Sequence, residues 1–275
     1  MDRRDAGFLM TQRPIALSIA GSDSGAGAGA QADLKTFSAL GVYGATVITA
    51  ITAQNTLGVQ AIHMAPAVIV AAQIDAVLAD FDVVAIKIGM LGAPEIAQVV
   101  ATKLSAHGAF VIYDPVLASS SGGSLTRAGL LETAKARLLQ HVDCLTPNLS
   151  EAAAFLGVDP ASDEEEMRAQ GVALLKLGPS AVLMKGGHLD GDAVDLLITT
   201  EGVQRFAAPR IDSPNLHGTG CTFSSAMAAY LTLGESLVEA VRLAKIFVRD
   251  SIEAGRDGRL GQGAGPLIQM PLRQG

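Results

Sequence analysis

The chain has 275 residues, of which 49% are hydrophobic and 17% charged, and a formal charge of −7. Length and composition fit a soluble globular protein that buries a sizeable core and lies far from the disordered range. The acidic balance, with no run of Lys or Arg, argues against a nucleic-acid surface or an anionic-membrane anchor, though not against a phosphate held by backbone N–H groups.

Residues 1–13 mix Asp2, Arg3, Arg4 and Asp5 with a few apolar side chains. They read as a loose extension before a single domain over 14–275. Residues 15–20 are an apolar run ending at Gly21, the pattern of a buried strand. Residues 31–40 follow with helical spacing through Leu34, Phe37, Ala39 and Leu40, and Gly41 stops them. Residues 45–51 are β-branched and read as a second buried strand. A helix over 68–78, a strand over 83–88, a helix over 95–104 and a strand over 110–113 come next. Gln54, Asn55, Gly58 and Pro66 interrupt the uncharged stretch here, well short of the roughly twenty apolar residues of a membrane span.

The alternation continues with a helix over 130–139, a strand over 142–146 and a short helix over 149–156. Ser162 and Glu165 form a capping-box pattern for a helix running to Leu177. A strand over 181–184 then leads into Lys185-Gly186-Gly187. Residues 194–199 and 203–208, joined by Thr-Glu-Gly, read as an antiparallel hairpin. Ser236 and Glu239 cap a last long helix with Leu237, Val241, Ala244, Val248 and Ile252 on one face. The tail after Gly255 is glycine-rich and weakly specified.

This order predicts an α/β fold with a mostly parallel sheet covered on both faces. Ligands of such sheets bind at the carboxyl ends of the strands. The polar motifs fall there: 21–29, Gln54-Asn55, Gly89-Met90, Asp114-Pro115, Asn148 and Lys185-Gly186-Gly187.

The segment from Asn215 to Thr222 joins a polar loop to an apolar helical run. The amides of Gly218, Thr219 and Gly220 at a helix start suit an anion, and Cys221 would ionise more easily there. A glycine loop before a buried helix with a core cysteine is the other reading. Gly25, Gly27 and Gly29 give G-x-G-x-G, not the dinucleotide fingerprint, and Gln54-Asn55 stands where a ribose-binding acid is expected. Asp33 is an acceptor for the cleft or an ordinary acid near a helix start. Gln54 can donate and accept, as a heterocycle edge requires. Asn148 with Glu151 is a capping box, and Glu151 also suits a nucleotide's magnesium. Asp114 is a turn former or a neighbour of that metal. Lys185, between a buried strand and two glycines, suits a phosphate.

In order, AGSDSGAGAGAQADLKTFSALGVYG, VITAITAQNT, KIGM, DPV, LTPNLSEA, VLMKGGH and HGTGCTFSSA resemble the hydroxymethylpyrimidine kinase / phosphomethylpyrimidine kinase family of thiamine biosynthesis. The likeness spans about 15–251 and places the chain with the ribokinase-like superfamily. It implies a three-layer α/β/α fold with an antiparallel edge hairpin, and a homodimer; with only Cys144 and Cys221 and no disulfide framework, a reducing cytoplasm is the default. The implied activity uses ATP and magnesium to phosphorylate 4-amino-5-hydroxymethyl-2-methylpyrimidine, then its monophosphate. Substrate contacts carry over to Ala28, Asp33, Gln54, Met90 and Val116. Asp33 and Gln54 would read the aminopyrimidine edge, and Cys221 would take the alcohol proton. Asn148, Glu151, Lys185 and Thr219 would surround the phosphates and metal.

One position departs: Ser120 stands where many relatives carry a lysine after the DPV motif, which bears on the second phosphorylation. A pyridoxine/pyridoxal kinase of the same superfamily is the nearest rival. A non-catalytic pyrimidine-binding protein and a dinucleotide enzyme follow.

Overall fold

The computed structural model describes residues 13–118, 123, 125–187, 189 and 191–269. The extension over 1–12 and Ser120 therefore lie outside the described residues. The first half runs β1 (Ile15–Asp23), α1 (Gly29–Ala39), β2 (Tyr43–Asn55), β3 (Gly58–Met64), α2 (Ala67–Leu78), β4 (Val83–Ile88), α3 (Pro94–Leu104) and β5 (Phe110–Tyr113). The second runs α4 (Leu130–Thr133), β6 (Cys144–Leu145), α5 (Leu149–Leu156), α6 (Glu164–Leu175), β7 (Ala181–Lys185), β8 (Ala193–Thr199), β9 (Gly202–Ala208), α7 (Thr219–Thr232) and α8 (Leu237–Gly255).

One sheet holds all nine strands in the order β3-β2-β1-β4-β5-β6-β7-β8-β9. From β2 to β7 every neighbouring pair is parallel. At the edges β3 runs antiparallel to β2, β8 to β7, and β9 to β8. Side chains of the central strands alternate between two cores. Leu17, Ile19 and Ile86 meet α2 through Ile74, α3 through Val100, and α5 through Phe155. Ala16, Ala85 and Ile112 face the other way, toward Phe37 of α1, Met227 of α7 and Val241 of α8. The parallel centre therefore brings six strand ends to a single rim.

The structure corrects several sequence expectations. β3 was not foreseen, because GVQAIHM lies half-exposed at the sheet edge and carries no buried apolar stripe. The expected helix over 130–139 begins as α4 but widens into a π turn over Ala134–Leu138 and tightens into a 3-10 turn over Leu139–His141. The cap of α6 sits one residue later than expected. Asp163 accepts the Glu166 N–H at 2.8 Å, while Ser162 donates to the Glu166 carboxylate. Nor is the stretch after Gly255 loose. Asn215 donates its amide to the carbonyls of Gly255 and Gly258 and accepts the Gly265 N–H, and Leu267 is buried.

Candidate active site

The rim is built from the turns that follow the parallel strands. Asp23 ends β1 and turns its carboxylate back on the glycine-rich loop, accepting N–H groups from Gly25, Gly27 and Ala28 at 2.8–3.0 Å. The Ala28 amide is thus already committed. Burial works against the charged form of Asp23, but His217 and the amides of Ala28 and Gly25 outweigh it and hold the carboxyl below its ordinary range. Sequence reasoning passed over this residue, although an Asp before Gly-rich turns is a known turn signal.

Gly218 caps α7 in the left-handed conformation, at φ 87°. A Cβ there would run into the carbonyl oxygen of Gly27, so only glycine lets the two loops meet. The first-turn amides of Gly220 and Cys221 lack intrahelical acceptors and sit at the positive end of the helix dipole. Thr219 ties the loop by donating its hydroxyl to the Leu216 carbonyl at 2.7 Å. A Cβ on Gly220 would come within 3.3 Å of Lys185 Nζ. The first turn of α7 therefore faces the lysine directly.

Lys185 ends β7 and pairs with Asp114 Oδ1 at 2.6 Å, with Glu151 Oε2 at 3.9 Å. Burial disfavours the ammonium, but Asp114 and Glu151 more than offset it and raise the lysine pKa. Glu151 is pushed up to about 7 by burial, against the pull of Lys185. It also closes a capping box with Asn148, whose N–H donates to its carboxylate at 2.7 Å. Asn148 thereby fixes where Glu151 points. Asp114 and Glu151 are hard oxygen donors beside Lys185, which fits magnesium carried on nucleotide phosphates and largely water-coordinated. Among the described residues no group of three or more His, Cys, Asp or Glu forms a self-sufficient metal cage.

The opposite side of the rim is apolar. Met90, after β4, clusters with Ala50 and Leu125, and Val116 packs against them. Gln54, at the end of β2, lies 3.2 Å from His217 Nε2. Gln54, Met90 and Val116 can thus line one side, while Lys185, Asp114 and Glu151 line the other.

Two expectations fail here. Asp33 does not face the cleft: it is fully buried, and Lys87, Ser18 and Ser225 occupy its carboxylate oxygens. It anchors Lys87 beneath the site instead of reading a ligand edge. Cys221 is not easily ionised either. Burial pushes its thiol up to about 11, although Lys87 and a hydrogen bond from the Gly29 amide pull the other way. The helix start cannot offset the loss of water around the sulfur. Lys87 was itself legible, as a lone charge inside the apolar strand VVAIKI.

A family model described as phosphomethylpyrimidine kinase matches residues 23–268. A hydroxymethylpyrimidine/phosphomethylpyrimidine kinase of Rhizobium meliloti (strain 1021) is 51% identical over 92% of this chain and 96% of its own length. The crystal structure of phosphomethylpyrimidine kinase from Clostridium difficile 630 superimposes with a TM-score of 0.78 at 42% identity, covering 87% of this chain and 100% of that one. Pyridoxal kinase from Staphylococcus aureus in complex with AMP-PCP gives a TM-score of 0.86 at 32% identity over 95% of each chain. By its mixed nine-stranded sheet, its ordered loops and these likenesses, the chain belongs to the phosphomethylpyrimidine kinase family and has the ribokinase-like fold.

Proposed function

We propose that this protein phosphorylates 4-amino-5-hydroxymethyl-2-methylpyrimidine with ATP and then phosphorylates the monophosphate to the diphosphate, as a step of thiamine biosynthesis. The observation that carries the reading is the meeting of Lys185 with the first turn of α7. Phosphoryl transfer needs little covalent help; it needs positioning and positive charge around the transferring group. The amides of Gly220 and Cys221, presented by the Gly218–Thr219 turn, bind the developing charge, and Lys185 leaves Asp114 to neutralise the β- and γ-phosphates. Asn148 and Thr219 border the nucleotide. Asp114 and Glu151 are the residues that would hold magnesium, and the ion would supply further charge neutralisation.

On the acceptor side, Met90 and Val116 pack on the ring, Ala28 lies beside it and Gln54 reads its polar edge. Cys221 stands beside the hydroxymethyl group. Its raised pKa makes the thiolate a scarce but strong base for the alcohol proton. The phosphate oxygen that attacks in the second step is already ionised and needs no such base. A cytoplasmic location belongs to the same proposal, and the free cysteines Cys144 and Cys221 support it. Among the described residues no helix is long and apolar enough to cross a membrane.

Pairing into a homodimer is supported by the apolar residues left exposed on β2, the turn after it and the start of α2: Ile51, Leu57, Val68 and Ile69. Light scattering at twice the chain mass is the expected result, and a monomer at micromolar concentration contradicts it. The likeness to pyridoxal kinase favours one second reading, phosphorylation of pyridoxine or pyridoxal. Incubation with ATP, magnesium and each heterocycle, followed by mass spectrometry, decides between them. Two successive phosphoryl additions to the pyrimidine, faster than any to pyridoxine, are expected. Phosphopyridoxine as the main product would overturn the assignment.

A further inference from the structure

Gln54 stands between two side chains whose hydrogen-bond roles are dictated by their other partners. Thr52 Oγ1 lies 2.9 Å from the carbonyl oxygen of Ser22 and 3.2 Å from Gln54 Oε1. A hydroxyl has one proton, and a carbonyl only accepts. Both neighbours can accept, and Ser22 is the nearer, so the proton goes to Ser22 and Thr52 turns a lone pair toward Gln54. At the other end of the amide, His217 Nε2 lies 3.1 Å from Asp23 Oδ2 and 3.2 Å from Gln54 Nε2. Asp23, held ionised by its three backbone donors and His217, only accepts. His217 Nε2 must carry a proton, and it meets Gln54 as a donor.

With Gln54 Nε2 at the histidine end and Oε1 at the threonine end, donor faces donor and lone pair faces lone pair. Half a turn of the amide resolves both conflicts at once, and both neighbours demand the same turn. We infer that Gln54 works with Oε1 toward His217 and Nε2 toward Thr52, so that the Thr52–Ser22 and His217–Asp23 pairs fix the direction in which the site reads a heterocycle. Thr52 and His217 are then positioning residues for substrate selectivity.

The inference rests on the aminopyrimidine reading given above. A so-oriented amide keeps one lone pair on Oε1 and one N–H on Nε2. A 4-aminopyrimidine presents the complement, an amino N–H beside a ring-nitrogen lone pair, and matches in one sense only. The ring cannot turn over to suit a reversed amide, because its hydroxymethyl group must reach Cys221 and the first turn of α7. Pyridoxine has no ring nitrogen next to an amino group and gains nothing from the fixed direction.

The test compares Thr52→Val, Thr52→Ser and the unaltered protein in the first phosphorylation, with pyridoxine as the second substrate. Valine keeps the shape and removes the acceptor; serine keeps the hydroxyl. Thr52→Val is expected to raise KM for the pyrimidine about tenfold while kcat changes about twofold or less, and Thr52→Ser to restore it. KM for pyridoxine should move far less. His217→Phe, which removes the donor at the other end, should raise KM for the pyrimidine similarly and serves if the valine variant does not fold. An unchanged pyrimidine KM, equal damage from valine and serine, or equal shifts for both heterocycles would overturn the inference and leave the kinase assignment standing. An unaltered protein that makes no phosphopyrimidine overturns both.

Discussion

Two lysines paired with carboxylates sit under neighbouring residues of α7, and they have opposite fates. Lys87 and Asp33 are both 0% exposed, and two serine hydroxyls fill the acceptor positions that the lysine leaves. Lys185 and Asp114 have the same pairing chemistry, but the lysine is 13% exposed and reaches Glu151 only loosely, at 3.9 Å. Consecutive serines of α7 touch the two sets: Ser224 Oγ lies 3.3 Å from Asp114 Oδ2, and Ser225 donates to Asp33. A saturated ion pair is architecture, and an unsaturated one at the rim has valence left for a ligand. Motif reading cannot make that distinction, because it depends on neighbours distant in sequence.

The contrast can be broken most sharply at Lys185. Lys185→Met is expected to lower kcat/KM for both phosphorylations about 10⁴-fold, since it removes the charge facing the transferring group. Its Tm should fall by less than that of Lys87→Met, because Lys185 is partly exposed whereas Lys87 is sealed. Lys87→Met leaves Asp33 charged, buried and unpaired, at a cost of about 3–5 kcal/mol in denaturant unfolding. If Lys87→Met instead costs more in rate than in stability, the buried pair is part of the catalytic apparatus and the contrast collapses.

A smaller effect sharpens the same division. Cys221→Ala should lower the first phosphorylation about 100-fold and the second about twofold or less, measured as separate single-turnover rates. The sign of the pH dependence follows from the buried thiol. Below its value of about 11, the thiolate share grows about tenfold per pH unit, so the first step should accelerate toward alkali. Cys221→Ala should flatten that rise. Equal losses in both steps would remove Cys221 from the role of base.

Much of the fold was legible because its core strands are short apolar runs bounded by glycine or Asp-Pro, and β4, β5 and α5 begin and end where the pattern placed them. β3 escaped, since an edge strand need not alternate. The rim was legible too: Asp114, Asn148, Glu151, Lys185 and the Gly218 loop each follow a parallel strand or open a helix. Asp33 was misjudged because its partner Lys87 lies 54 residues away, and nothing local reveals that a carboxylate is already filled. The raised pKa of Cys221 was not legible because helix-start arguments count partial charges and not the water excluded from around the sulfur. His217 and Thr52 carried no motif; their meaning comes from which proton each has already given away.

The knot of hydrogen bonds around Asn215 has a consequence for the order of synthesis. Its amide fastens the loop ahead of α7 to the backbone at Gly255, Gly258 and Gly265, and Gln269 donates to Thr222 just inside the helix. A ribosome must therefore release everything up to residue 269 before the first turn of α7 has its buttress. Until that moment a nascent chain with its whole sheet assembled would still lack the hydrogen bonds that brace the start of α7.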